Sequence, residues 1–174
     1  MTDPAILPLA AASNAAVDAL LDRVFGPDRH ERTAYRVRAG TAPILPLCFA
    51  ACTTDGALVG TIQAWPVALA LDGGGSVPMV MVGPVAVEPD RQGTGIGVAL
   101  MKALGDAAPA CGDAGGDALM LIGDPEYYGR FGFTGAHTAG WRLPGPVERH
   151  RLLARGPAVP TGAGLLGPRL RRAA

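Results

Sequence analysis

An apolar, β-branched run, Met79-Val80-Met81-Val82-Gly83-Pro84-Val85-Ala86-Val87, leads into the turn Gln92-Gly93-Thr94-Gly95-Ile96-Gly97. Val98, Leu100, Met101 and Leu104 follow at the spacing of one helix face. Strand, glycine turn and helix in that order leave few folds open, and they describe a site for phosphate. The first turn of a helix carries N–H groups without internal partners, and the macrodipole adds partial positive charge there. Glycines let an anion reach those amides with no Cβ in the way, so a pyrophosphate is the expected guest.

The spacing narrows the choice of ligand. A P-loop needs Lys-Ser or Lys-Thr closing the turn, and neither pair is present. A dinucleotide fingerprint needs a third glycine or an alanine where Val98 stands. What remains is Q-x-x-G-x-G, filled by Gln92, Gly95 and Gly97, behind Val85-Ala86-Val87-Glu88-Pro89. This pattern resembles the coenzyme A pyrophosphate loop of the GNAT superfamily of N-acyltransferases. A second segment strengthens the likeness. Ala118-Leu119-Met120-Leu121-Ile122 is a wholly apolar run, and Gly123-Asp124-Pro125-Glu126-Tyr127-Tyr128-Gly129-Arg130-Phe131-Gly132-Phe133 follows it. In the family a buried strand leads into a short helix carrying Tyr, then three residues, then Gly-Phe, and Tyr128 with Gly132-Phe133 repeats that spacing. The run is particularly similar to the YhbS-like branch. One position departs: the third residue of the loop, basic in many relatives, is Thr94.

Length and composition agree with one enzyme domain over 1–174. A chain of 174 residues is large enough to bury a substantial core. The formal net charge is zero, which argues against nucleic acid or an anionic membrane as partner. The basic residues are all Arg apart from Lys102, a compositional bias rather than a functional signal. Cys48, Cys52 and Cys111 are too scattered for a disulfide framework, read as small buried hydrophobes, and form no metal-ligand spacing with His. Met1 to Ala12 carries Asp3 and no basic n-region, so a signal sequence is not expected. Gly56 to Leu71 alternates like a strand and is no membrane span. A cytoplasmic setting is the default expectation.

Along the chain, Ile6–Leu9 reads as a short edge strand. Ser13 offers an N-cap for a helix in which Val17, Leu20, Leu21, Val24 and Phe25 share a face, and Gly26-Pro27 ends it. A charged helix is expected over Arg29–Arg38, with Arg29, Arg32, Arg36 and Arg38 on a solvated face beside Asp28 and Glu31. Strands follow at Leu47–Thr53, at Leu58–Leu71 with a kink at Trp65-Pro66, and at Val77–Val87, joined by turns at 54–57 and 72–75. Three successive antiparallel strands before the glycine turn exclude a doubly wound sheet, which alternates strand and helix from its start. The helix from Gly95 ends before Pro109, and Cys111–Gly116 reads as a loop. Weaker strands are expected at Ala139–Leu143 and Leu152–Val159, with an exposed, rigid Pro144-Gly145-Pro146 between them. The Gly- and Arg-rich segment from Gly162 to Ala174 reads as a poorly ordered tail in which Arg169, Arg171 and Arg172 are solvated.

The resemblance implies an α/β (α+β) fold with a mixed, mostly antiparallel central sheet flanked by helices. It implies acetyl transfer from acetyl-CoA to a primary amine by direct attack in a ternary complex, without metal. The cofactor site would comprise Gln92, Gly93, Thr94, Gly95, Ile96 and Gly97, with the backbone of Val85, Ala86 and Val87 holding the pantetheine arm and polarising the thioester. Tyr128 is the expected acid for the departing thiolate, Tyr127 its replacement if the register shifts. Glu88, at the strand end, is the candidate base through water, although alternation sets it opposite Val87; Asp124 is no better a candidate. His30 and His137 read as surface or loop residues. Acceptor recognition is expected near Phe25–Tyr35 and around Pro144, where nothing names the amine: a small metabolite and a peptide amine both fit, as do a monomer and a homodimer. Two rivals stay open. One is a coenzyme A-binding sensor without turnover, the other a nicotinamide or flavin binder using the same turn.

Overall fold

Ser13 does what its position predicts: its side chain accepts a hydrogen bond from the N–H of Ala16 at 3.1 Å and starts helix α1, Asn14–Phe25. The computed structural model describes residues 2–171. The strands are β1 (Ala5–Pro8), β2 (Phe49–Cys52), β3 (Leu58–Leu71), β4 (Ser76–Val87), β5 (Leu119–Ile122), β6 (Trp141–Arg142), β7 (Leu152–Arg155) and β8 (Gly164–Pro168). The remaining helices are α2 (Thr33–Val37), α3 (Ile96–Ala107) and α4 (Pro125–Tyr128). In hydrogen-bonded order the sheet runs β1-β2-β3-β4-β5-β7, with β8 on β3 and β6 on β8. The pairings β1–β2, β2–β3, β3–β8 and β5–β7 are antiparallel, whereas β4–β5 and β6–β8 are parallel. The sheet is mixed and mostly antiparallel, as expected.

The chain divides into two compact units, and both β3 and β4 contribute residues to each. The first comprises 1–30, 43–64 and 83–108. Here β1 pairs with β2 from Ala5↔Cys52 to Pro8↔Phe49, and β2 with β3 from Phe49↔Ile62 to Cys52↔Leu58, with a bulge between Ala51 and Cys52. Val17, Leu20 and Leu21 of α1 bury against Ala86 of β4. On α3, Leu100, Met101 and Leu104 are buried as their spacing predicts, but Val98 is exposed and Ile96 takes the inward place in the stripe. Cys48 and Cys52 are buried, as expected of small hydrophobes.

The second unit comprises 31–42, 65–82 and 109–174. Its core joins Val37 of α2, Val67 and Leu69 of β3, Met79 and Met81 of β4, Met120 of β5, Trp141 of β6, Leu152 and Ala154 of β7 and Leu166 of β8. The β4–β5 ladder consists of Val80↔Leu119 and Met81↔Met120, while β5 pairs with β7 along its whole length, from Leu119↔Arg155 to Ile122↔Leu152.

Several expectations are corrected. The segment after Gly162 is not a loose tail, because β8 pairs with β3 from Val67↔Pro168 to Leu71↔Gly164 and buries Leu166 completely. Nor is Arg169 solvated: its guanidinium donates to the carbonyls of Val67, at 3.2 Å, and Ala114. Arg171 is exposed, and Arg172 lies outside the described residues. The helix expected over Arg29–Arg38 is broken into a 3-10 turn, Arg29–Glu31, and α2. Arg29, only 4% exposed, turns back to Asp18 and Asp22 of α1, at 3.1 and 2.8 Å. Arg38, 6% exposed, stacks between the rings of Tyr35 and Trp65, 4.1 and 3.9 Å from their centroids. Two of the four arginines on that supposedly solvated face are therefore packed inward. The later strands are shorter than the apolar runs suggested, and the expected loop at Cys111–Gly116 starts inside 3-10 turns over 108–114 that are kinked at Cys111. Pro144 and Pro146 are exposed as expected, but their carbonyls accept hydrogen bonds from Arg36 and Thr33, which pin α2 to that loop.

Candidate active site

Pro89 begins a 3-10 turn, Pro89–Arg91, that takes the chain out of β4. Two side chains then fold the glycine turn onto itself. The Gln92 carboxamide donates to the carbonyl of Val87 at 3.3 Å, and the Thr94 hydroxyl donates to that of Arg91 at 2.6 Å. Both residues were expected among the phosphate contacts, and the structure shows what each does inside the loop: it braces the turn. Gly93 (φ +79°) and Gly95 (φ +92°) adopt left-handed conformations that cost an L-residue about 1–2 kcal/mol. Gly95 is the N-cap of α3 and supplies no capping side chain. The first helical bond is Ala99 N–H to the Gly95 carbonyl, 3.0 Å. The amides of Ile96, Gly97 and Val98 consequently have no partner within the helix. A Cβ on Gly93 or Gly95 would meet nothing within 4 Å, so the outer face of the turn is open. Open space in front of unpartnered amides at a positive helix end suits a diphosphate group.

The end of β4 belongs to the same unit. Ala86 is buried against α1, whereas Val85 and Val87 are half-buried. Glu88 stands on the α1 side with Ala86, as strand alternation requires, and its N–H donates to the Val59 carbonyl at 2.9 Å. Its carboxylate is held by Arg23 of α1: Nε reaches Oε2 at 3.3 Å and Nη2 reaches Oε1. That hydrogen bond raises the Arg23 guanidinium above its ordinary pKa. The two residues are 65 positions apart, and no local pattern announces the pair.

Tyr128 lies in the second unit, at the end of α4. Asp124 caps that helix by accepting from the Glu126 N–H at 3.0 Å, and Pro125 occupies the first turn. The Tyr128 ring meets Tyr127 edge-on, centroids 4.9 Å apart, and Phe133 at 6.4 Å. Burial pushes the Tyr128 phenol up to about 12, and neighbouring Tyr127 adds to the effect. Among the described residues its hydroxyl has no hydrogen-bond partner. Tyr127 differs: Arg130 lies 4.7 Å over its ring, and Phe131 packs beside it at 5.6 Å. Among the described residues no three His, Cys, Asp or Glu side chains gather as metal ligands would.

The acetyltransferase (GNAT) domain model matches residues 8–136, most of the chain. The chain belongs to the GNAT acetyltransferases. This acetyltransferase is similar in fold to the YhbS GNAT family N-acetyltransferase of Escherichia coli, solved in complex with CoA. The two are 23% identical over 97% of this chain and 91% of the other, with a TM-score of 0.70. It is also similar to a GNAT family acetyltransferase from Brucella melitensis, solved with acetyl-CoA: 22% identity, 95% of each chain, TM-score 0.59. A GCN5-related N-acetyltransferase from Kribbella flavida matches 76% of this chain with 33% of its own, at 20% identity and a TM-score of 0.54. Among curated protein sequences none matches. No helix of the acetyltransferase, among the described residues, is long and apolar enough to cross a membrane.

Proposed function

We propose that this acetyltransferase moves an acetyl group from acetyl-CoA to a primary amine by direct attack in a ternary complex. The amine nitrogen bonds to the thioester carbonyl carbon, the C–S bond breaks, the nitrogen loses a proton to solvent, and the departing thiolate gains one to leave as the free thiol. The observation that carries this reading is the turn at Gly93–Gly97, whose left-handed glycines leave the Ile96, Gly97 and Val98 amides for the pyrophosphate of coenzyme A. In this reading the backbone of Val85, Ala86 and Val87 holds the pantetheine arm. Gln92 and Thr94 act by shaping the loop.

Tyr128 supplies the proton to the departing thiolate. A phenol held near 12 stays protonated throughout the physiological range, so the donor is always loaded. A thiol titrates near 8.5, below the phenol, so the phenol's proton is lent through a hydrogen bond that tightens as the C–S bond lengthens, and solvent makes good the proton that the free thiol carries away. Glu88 is not the base in this scheme. Both its oxygens are taken by Arg23, and the amine reaches the site already deprotonated.

The test is release of free thiol from acetyl-CoA across a panel of small amines, aminoglycosides and peptides. Turnover with at least one primary amine, product acetylated on nitrogen, is the expected result. Binding of acetyl-CoA without turnover on any amine would leave the sensor reading in its place, and equal affinity for NAD would remove the coenzyme assignment.

A further inference from the structure

Gly123 joins β5 to α4, and its φ lies outside the left-handed region, so the backbone alone would admit any residue there. Tyr128 excludes a side chain at this position. A Cβ built on Gly123 would stand 2.3 Å from Cε2 and 2.7 Å from Cδ2 of the tyrosine ring, where contacting carbons need roughly 3.5–4.0 Å. The ring therefore rests directly on the main chain of Gly123. That floor is fixed, because the Gly123 N–H donates to the Arg151 carbonyl at 2.9 Å and continues the β5–β7 ladder past Ile122↔Leu152. The other sides are fixed as well. Tyr127 and Phe133 meet the ring edge-on, and the Tyr128 N–H donates to the Asp124 carbonyl at 2.9 Å.

We infer that Gly123 is a positioning residue for acetyl transfer: by offering bare backbone it sets where the Tyr128 hydroxyl stands relative to the bond being broken. This rests on the reading of Tyr128 as the acid. Any side chain at 123 lifts the ring off its seat, and the lever arm from ring edge to hydroxyl carries the displacement to the reacting atoms. A misplacement of about 1 Å in a reacting group costs on the order of a hundredfold in rate. The same packing removes the phenol from water, which is the main reason that its pKa is high.

The decisive variant is Gly123→Ala, the smallest intrusion available. Its kcat is expected to fall by about 10–100-fold while KM for acetyl-CoA holds within about twofold. Placed in a Tyr128→Phe background, where the hydroxyl is already gone, Gly123→Ala should change kcat by less than about twofold. The chain has three tyrosines, so phenolate absorbance follows Tyr128 directly, and its late titration should move down toward the ordinary value near 10 in Gly123→Ala. Wild-type kcat in Gly123→Ala, or a full further loss in the Tyr128→Phe background, would overturn the inference. Full activity in Tyr128→Phe alone would instead overturn the acid reading, so the two failures are distinct. Should Gly123→Ala not fold, adding Tyr128→Ala must restore the folded circular-dichroism signal, since the conflict is with the ring. Failure to restore it would also overturn the inference.

Discussion

Tyr128 draws its chemistry from its neighbours, and removing its hydroxyl separates chemistry from packing. Tyr128→Phe keeps the ring against Gly123 and Phe133, so the melting temperature and acetyl-CoA affinity should barely change, while kcat should fall by about 10²–10⁴-fold. The raised pKa also predicts an alkaline weakness. A phenol near 12 in the folded chain and near 10 in the unfolded one binds its proton more tightly when folded. Its contribution is therefore complete below pH 10 and is lost as pH rises from 10 to 12, about 2–3 kcal/mol in all. Urea unfolding across that interval should show the decline in the wild type and a correspondingly smaller one in Tyr128→Phe. Glu88 makes the opposite bet. With Arg23 on both oxygens, Glu88→Gln should leave the pH dependence of kcat/KM following the amine substrate's own titration. A limb near neutrality that vanishes in Glu88→Gln would return the base to this residue.

In the proposed reading, coenzyme binding depends on the N-terminal turn of α3. Gly95→Val forces a β-branched residue into a left-handed conformation and plants methyl groups in the open space before the amides. Stability should drop by about 1–3 kcal/mol and acetyl-CoA binding should be lost, read by calorimetry on a variant whose circular dichroism remains native. Local elements of this kind were legible in the sequence because local forces make them. Ser13 announces α1, the spacing of Leu100, Met101 and Leu104 announces α3, and Tyr128 with Gly132-Phe133 announces α4. What stayed hidden was fixed by distant partners. Gly164-Leu165-Leu166-Gly167-Pro168 has two glycines and a proline and reads as part of a poorly ordered tail, yet Leu166 joins a core with residues of β3, β4 and β7. Arg38 reads as a surface charge until Tyr35 and Trp65 close on it. Gly123 looks like one more turn glycine, because the ring that requires its missing Cβ is visible only in three dimensions.

At the scale of the whole molecule, β8 is held to β3 by five register pairs and to β6 by two, and Arg169 just after it donates to the carbonyls of Val67 and Ala114. Deleting residues 164–171 would strip β3 of that ladder and open the space that Leu166 fills beside Trp141. The truncated protein should unfold at a markedly lower urea midpoint or fail to fold, with Arg169→Ala showing a smaller loss in the same direction. A truncation that melts like the full chain would show that β8 only decorates the sheet.

The late arrival of β8 beside β3 also has a consequence for synthesis. A ribosome delivers Val67–Leu71 of β3 well before residues 164–168, so that stretch waits with one edge unpaired for a partner that has not yet been made. For that interval the nascent chain displays Val67 and Leu69, both of which the finished protein conceals. Chaperone dependence should therefore be concentrated in a short window during translation, ending when β8 leaves the exit tunnel. Stalling translation on either side of that point, and measuring protease resistance of the attached chain, should find the second unit open before it and closed after.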